Sequence, residues 1–119
     1  AFLIKENHIL AAGSITQAIA NARQLAPHLP LEVEVETLTQ ITEALQAKAE
    51  KLLLDNFTIP QLREAVTLVQ SQAKLEASGG ITLETIRAVA ETGVDYISVG
   101  SITKDVQAVD LSMRIINLK

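Results

Sequence analysis

The stretch "LEVEVETL" (residues 31–38) sets a carboxylate at every second position, with Glu32, Glu34 and Glu36 separated by Val33 and Val35. Such period-two alternation predicts a β-strand with one polar and one apolar face. Working outward, "AFLIK", "KLLLDN", "AKLEASG" and "DYISVG" read as four further strands, each short and rich in residues that suit a pleated surface. Between them lie segments of helical spacing. Ile15, Ala18, Ile19, Ala22 and Leu25 share one stripe behind a Ser14–Gln17 capping box, and Thr37–Gln40 and Thr58–Gln61, the latter with Pro60, repeat the start signal. A fourth helix is expected after "SGG", carrying Leu83, Ile86 and Ala90 and stopping at Gly93, and a fifth from about Val106 to Ile115.

Strand and helix alternating at this spacing is the βαβ pattern, whose right-handed crossovers build a parallel sheet. Parallel strands are usually covered on both faces and read as continuous apolar runs, so the polar alternation needs a reason. Lys51, Leu53 and Asp55 share one face, as do Lys74, Glu76 and Ser78, and Leu3 and Lys5. The opposite face is apolar throughout: Phe2, Ile4, Val33, Val35, Leu52, Leu54, Leu75 and Ala77. If the sheet curls into a barrel, Lys5, Glu34, Lys51, Asp55, Lys74 and Glu76 line its interior near the carboxyl ends of the strands, with both signs present to offset burial. The fold class expected is therefore α/β, a parallel (β/α) barrel of which this chain holds about five units. An open sheet with one solvated face would alternate in the same way.

The 119 residues fit one modest domain, with 48% hydrophobic and 20% charged residues. Ten Lys and Arg against 14 Asp and Glu give a net charge of −4 with almost no aromatics, which argues against a nucleic-acid platform. No apolar run is long enough to cross a bilayer. Absence of cysteine removes disulfides and thiolate sites and suits a cytoplasmic setting. The opening "AFLIKENH" reads as a strand entered partway through a domain, so a piece of a longer enzyme is expected.

Two strand ends carry glycine. In "ASGGIT", Ser78, Gly79 and Gly80 can offer backbone N–H groups and the start of a helix to an anion, and in "SVGSITK" Gly100 allows close approach while Lys104 supplies charge. Either loop alone is ordinary turn geometry; paired in a polar mouth they favour a phosphorylated ligand. His8 and His28 lack metal-ligand spacing, Ser78 has no matching histidine base, and Arg23, Arg63, Arg87 and Arg114 fall on predicted helices.

Taken in order, "LIKENHI", "LEVEVE", "LLLDNF", "SGGIT" and "TGVDYISVGSITK" resemble the carboxyl-terminal part of quinolinate phosphoribosyltransferases, along essentially the whole chain. The resemblance implies phosphoribosyl transfer from phosphoribosyl pyrophosphate to quinolinate, with Mg²⁺ and decarboxylation to nicotinate mononucleotide, in NAD biosynthesis. It implies that Lys5 contacts substrate carboxylate or phosphate, that Glu34 and Asp55 face the ribose and its metal-bound pyrophosphate, and that Ser78, Gly79, Gly80, Gly100 and Lys104 hold phosphate. The metal would be reached through waters on Glu34 and Asp55, with no direct ligand set. It also implies a homodimer or higher oligomer, an amino-terminal sandwich domain and first barrel strands that are absent from residues 1–119, and substrate-binding arginines supplied from elsewhere. On that basis the isolated chain is expected to be inactive. The alternative is a non-catalytic βα scaffold or phosphate-binding fragment.

Overall fold

The computed structural model describes residues 1–106 and 108–116. Five strands, β1 (Phe2–Ile4), β2 (Leu31–Val35), β3 (Lys51–Asp55), β4 (Lys74–Ser78) and β5 (Tyr96–Ile97), form one sheet in the order β1-β2-β3-β4-β5. Every pairing is parallel, and Glu32 lies opposite Lys51, Leu53 opposite Glu76, and Asp55 opposite Ser78. A parallel sheet whose spatial order repeats its chain order, joined by crossovers of one hand, carries all its helices on one face. That is an arc of a barrel wall; a doubly wound open sheet reverses its order partway and puts helices on both sides.

The helices are α1 (Glu6–Ala12), α2 (Ile15–Leu25), α3 (Leu38–Gln46), α4 (Ile59–Val69), α5 (Ile86–Ala90) and α6 (Ser101–Lys104). From α2 to α5 they pack side by side along the sheet. Val33, Val35, Leu52 and Leu54 are fully buried beneath Ile19, Ile41, Ala44, Leu62, Ala65 and Val69. Each buried aliphatic side chain contributes on the order of 1.5–3 kcal/mol to folding, and together they fix which face of each strand turns inward. The start signals act in part as read: Ser14 Oγ accepts from Gln17 N–H at 3.0 Å but the Gln17 side chain donates to Asn21 rather than closing the box, whereas Thr37 and Gln40 cap each other. At α4 the Gln61 side chain instead accepts both the backbone N–H and the hydroxyl of Thr58.

Three expectations need correction. Residues 6–12 form a helix, α1, that the apolar spacing did not announce; it buries none of its residues and is closed at Gly13, which adopts φ 93°. The helix after "SGG" begins only at Ile86, leaving Leu83 in a turn and 83% exposed. The helix expected over 106–115 is absent from the described part of that span, where Val106, Val109, Leu111, Met113 and Ile115 are all exposed; Gln107 lies outside the described residues. The physical reason is the period: Val109, Leu111, Met113 and Ile115 alternate with Asp110, Ser112 and Arg114, which is the spacing of a strand and gives a helix no continuous apolar stripe to pack.

Candidate active site

The polar face of the sheet is the one the helices leave open. Glu34, the last but one residue of β2, meets Lys5, one residue past β1, with Nζ 3.5 Å from Oε2; the glutamate side chain is 13% exposed and the lysine 50%. The backbone of Lys5 is itself fixed. As residue before α1, its N–H donates to His8 Nδ1 at 3.0 Å, and its carbonyl accepts from the N–H groups of His8 and Ile9. The spacing in "IKENH" thus has a local cause: a histidine three residues on satisfies an N–H that the helix start would leave unpaired. It also fixes the departure point of the lysine side chain.

Asp55 ends β3 on the same face as Glu34, two residues beyond Leu53. Its Oδ2 accepts from Asn56 Nδ2 at 2.6 Å. Asn56 adopts a left-handed conformation, φ 57°, and its N–H donates to the Ser78 carbonyl at 3.0 Å. Next along β4's exit comes Gly79 at φ 93°, where a Cβ would stand 2.7 Å from Asn56 Cγ and 2.8 Å from Asn56 N. The "LDN" and "SGG" turns are thus pressed together, and only a residue without a side chain fits at 79.

Beside that contact lies a cleft of about 340 Å³ lined by Ser78, Gly79, Gly80, Ser98, Val99, Gly100 and Lys104. All five residues expected from the two glycine loops meet there. Two details differ from expectation. Gly80 is followed by a turn and α6 is only four residues long, so the anion-attracting end of a long helix is missing. Gly100 has an ordinary φ of −68°, and an added Cβ would meet only Lys104 Cε at 4.0 Å, so no crowding within the protein requires glycine there. What the cleft offers an anion is backbone at Gly79 and Gly80 and the ammonium of Lys104, which has no ion-pair partner among the described residues.

Lys51 and Lys74 do not lie near the carboxyl ends, as expected of them; each is the first residue of its strand. Lys74 turns to Asp95, 2.6 Å away, outside the mouth. Lys51 reaches upward to Glu76 and sideways to Glu32, whose Oε2 is 3.2 Å distant, and its Nζ sits 4.9 Å from the Tyr96 ring centroid. The Glu76 bond comes first in holding the Lys51 ammonium above its ordinary pKa. Burial alone would push the Glu76 carboxyl up, but hydrogen bonds from Lys51 and Ser98 outweigh it and leave the carboxyl below the usual range. Sequence reasoning did not single out His8, Asn56, Tyr96 or Ser98 as site residues. The alternation Tyr96, Ser98 places both on the polar face with Glu76 and was the available signal.

The donor set suits a metal held through water better than one held directly. No group of three or more carboxylate or histidine ligands occurs among the described residues, and Glu34 is already engaged by Lys5. Mg²⁺ ordinarily keeps several waters and shares one or two carboxylates with substrate phosphates, which Glu34 and Asp55 could supply. Arginine is placed elsewhere: Arg23, Arg63 and Arg87 sit on α2, α4 and α5, with Arg23 bound to Glu50 at 2.9 Å and Arg87 to Glu91 at 3.1 Å. Arg114 lies in the stretch expected to be helical and is not in a helix.

A singly wound βα wall, with acidic and basic residues on its open side and glycine turns around a cleft at the strand ends, defines a barrel-type α/β domain. Residues 1–114 match the family model described as quinolinate phosphoribosyl transferase, C-terminal domain. The chain belongs to that family. It is 46% identical over 112 residues to a probable nicotinate-nucleotide pyrophosphorylase [carboxylating] of Bacillus subtilis, covering 93% of this chain and 39% of the relative. It is 43% identical over 114 residues to the nicotinate-nucleotide pyrophosphorylase [carboxylating] of Mycobacterium leprae, covering 93% and 40%. The solved nicotinate-nucleotide pyrophosphorylase of Francisella tularensis superposes with a TM-score of 0.89 at 46% identity, over 94% of this chain and 40% of that one. The chain therefore spans about two fifths of the length of these relatives.

Proposed function

We propose that this chain forms the carboxyl-terminal part of the barrel in an enzyme that transfers phosphoribose from phosphoribosyl pyrophosphate to the ring nitrogen of quinolinate and decarboxylates the adduct. The observation that carries the reading is the meeting of Asp55 and the glycine cleft through Asn56 and Gly79, with the Glu34–Lys5 pair on the same face. A phosphate in the cleft places the ribose of one substrate against carboxylates on the open face. As pyrophosphate departs, positive charge builds on the ribose carbon, and fixed carboxylates at Glu34 and Asp55 stabilise it without reorganising. Lys5 balances Glu34 at rest and is available to a substrate carboxylate or phosphate. Mg²⁺ held through water by the same two carboxylates would supply neutralisation of pyrophosphate charge. Once the ring nitrogen is ribosylated it is cationic; the adjacent carboxylate leaves as CO₂, and the electron pair left on carbon takes a proton.

The dicarboxylate substrate calls for convergent arginines, and in this reading they come from outside residues 1–119, from further chain or a second subunit. The test is calorimetric titration of phosphoribosyl pyrophosphate with Mg²⁺ into the chain. Binding that weakens in Asp55→Asn and in Glu34→Gln supports the reading, with no quinolinate turnover by these 119 residues alone. Absence of binding heat leaves a βα scaffold, and turnover by the isolated chain refutes the need for added arginines.

A further inference from the structure

Below the Lys5–Glu34 pair the polar face holds a second charged cluster that the transfer chemistry leaves unused. Two carboxylates, Glu32 and Glu76, share one cation, Lys51, and the remaining Glu32 oxygen, Oε1, is buried with no hydrogen-bond partner among the described residues. Glu76 is 13% exposed at its side chain, and its Oε1 accepts from the hydroxyl of Ser98, which lines the glycine cleft. A carboxylate thus stands one side chain away from the place where the proposed phosphate binds. Left uncompensated, it would repel that anion.

Lys51 offsets that repulsion. Its ammonium neutralises Glu76 directly and is itself held over the Tyr96 ring, which orients a flexible side chain at little cost. We propose that Lys51 is a positioning residue for the phosphate cleft: by pinning and neutralising Glu76 it fixes the Ser98 hydroxyl and keeps the cleft receptive to a phosphoryl group it never touches. The inference rests on reading the cleft as a phosphate site and deepens it.

The experiment titrates inorganic phosphate at low ionic strength into the 119-residue chain and follows the backbone amides of Gly79, Gly80 and Gly100 by NMR. A lone charge one side chain away from a phosphate dianion, partly screened by water, shifts binding roughly tenfold. Lys51→Met is accordingly expected to weaken phosphate about tenfold, Lys51→Arg to stay near wild type, and Lys51→Met combined with Glu76→Gln to recover to within about threefold. Glu76→Gln alone, with Lys51 retained, is expected to bind phosphate as well as wild type or more tightly, and it keeps the test decisive if Lys51→Met does not fold. Wild-type affinity in Lys51→Met, no recovery in the double variant, or weakened binding in Glu76→Gln would each overturn the proposal. A wild-type chain whose three glycine amides ignore phosphate overturns it together with the cleft. A chain that takes phosphate but not phosphoribosyl pyrophosphate ends the phosphoribosyl reading and leaves this inference to be decided by the Lys51 variants.

Discussion

Substituting alanine at Gly79 and, separately, at Gly80 distinguishes two costs that one motif conceals. Both residues have positive φ, 93° and 59°, so any L-residue there pays about 1–2 kcal/mol in backbone strain. At Gly80 nothing lies within 4 Å of the new Cβ, and the cost ends there. At Gly79 the Cβ would overlap Asn56, including its backbone nitrogen at 2.8 Å, and that nitrogen is fixed by its bond to the Ser78 carbonyl. Forcing the two turns apart adds about 1–3 kcal/mol. Gly79→Ala should therefore lose about 2–5 kcal/mol against about 1–2 for Gly80→Ala, or, at about 4 °C per kcal/mol for a domain of this size, roughly 8–20 °C against roughly 4–8 °C in Tm. Urea unfolding at constant m measures both. Adding Asn56→Ala should recover only part of the excess, since the backbone nitrogen stays. Equal midpoints for the two glycine variants would refute the claim that the "LDN" and "SGG" turns are in contact, and with it the coupling of Asp55 to the cleft.

Three further outcomes follow from the same geometry. Leu54, fully buried, should cost about 2–5 kcal/mol as Leu54→Ala, while its neighbour Leu53 on the half-open face should cost less than about 1; equal urea midpoints would reverse the assignment of faces. His8→Ala removes the acceptor of the Lys5 N–H and should cost about 1 kcal/mol, with faster hydrogen exchange at the Lys5 amide as its specific sign. Glu76, held below the usual carboxylate range, stabilises the fold above that range and loses its contribution as pH falls through its lowered pKa; Lys51, held above the ordinary lysine value, loses its contribution as pH rises through its raised one. Urea midpoints should therefore be level between about pH 5 and pH 10 for this pair, and in Lys51→Met the acid limb should move to higher pH because burial then acts on Glu76 without the lysine, the Ser98 hydrogen bond remaining against it. An unmoved acid limb would sever Lys51 from Glu76.

Alternation made the sheet legible because it reports a backbone periodicity that tertiary context seldom overrides when one face is apolar. From Phe2 to Ala77 every residue assigned to the helix-covered face is at least partly buried there, and the carboxylates and ammonium groups share the other. The barrel arc was less legible: charged residues along one face suit an open, solvated sheet equally well, and it is the unbroken order β1-β2-β3-β4-β5 that puts the helices on one side and separates the two. What alternation could not give is the vertical position of a long side chain. Lys51 begins its strand yet delivers its charge a step higher, to Glu76, since four methylenes span the distance between successive rows of the sheet. The failure at 106–115 has another cause. In α2 Ile15, Ala18, Ile19 and Ala22 recur at helical spacing and lie buried against the sheet, whereas Val109, Leu111, Met113 and Ile115 recur at every second residue, the period of a strand, so a helix was the wrong expectation there. Whether such a stretch joins a sheet depends on an edge to receive it. The same logic sets what a chain of this family can do alone: a concave row of charges and a glycine cleft are complete in local geometry here, while any step that needs an arginine on the open face must find it on another segment.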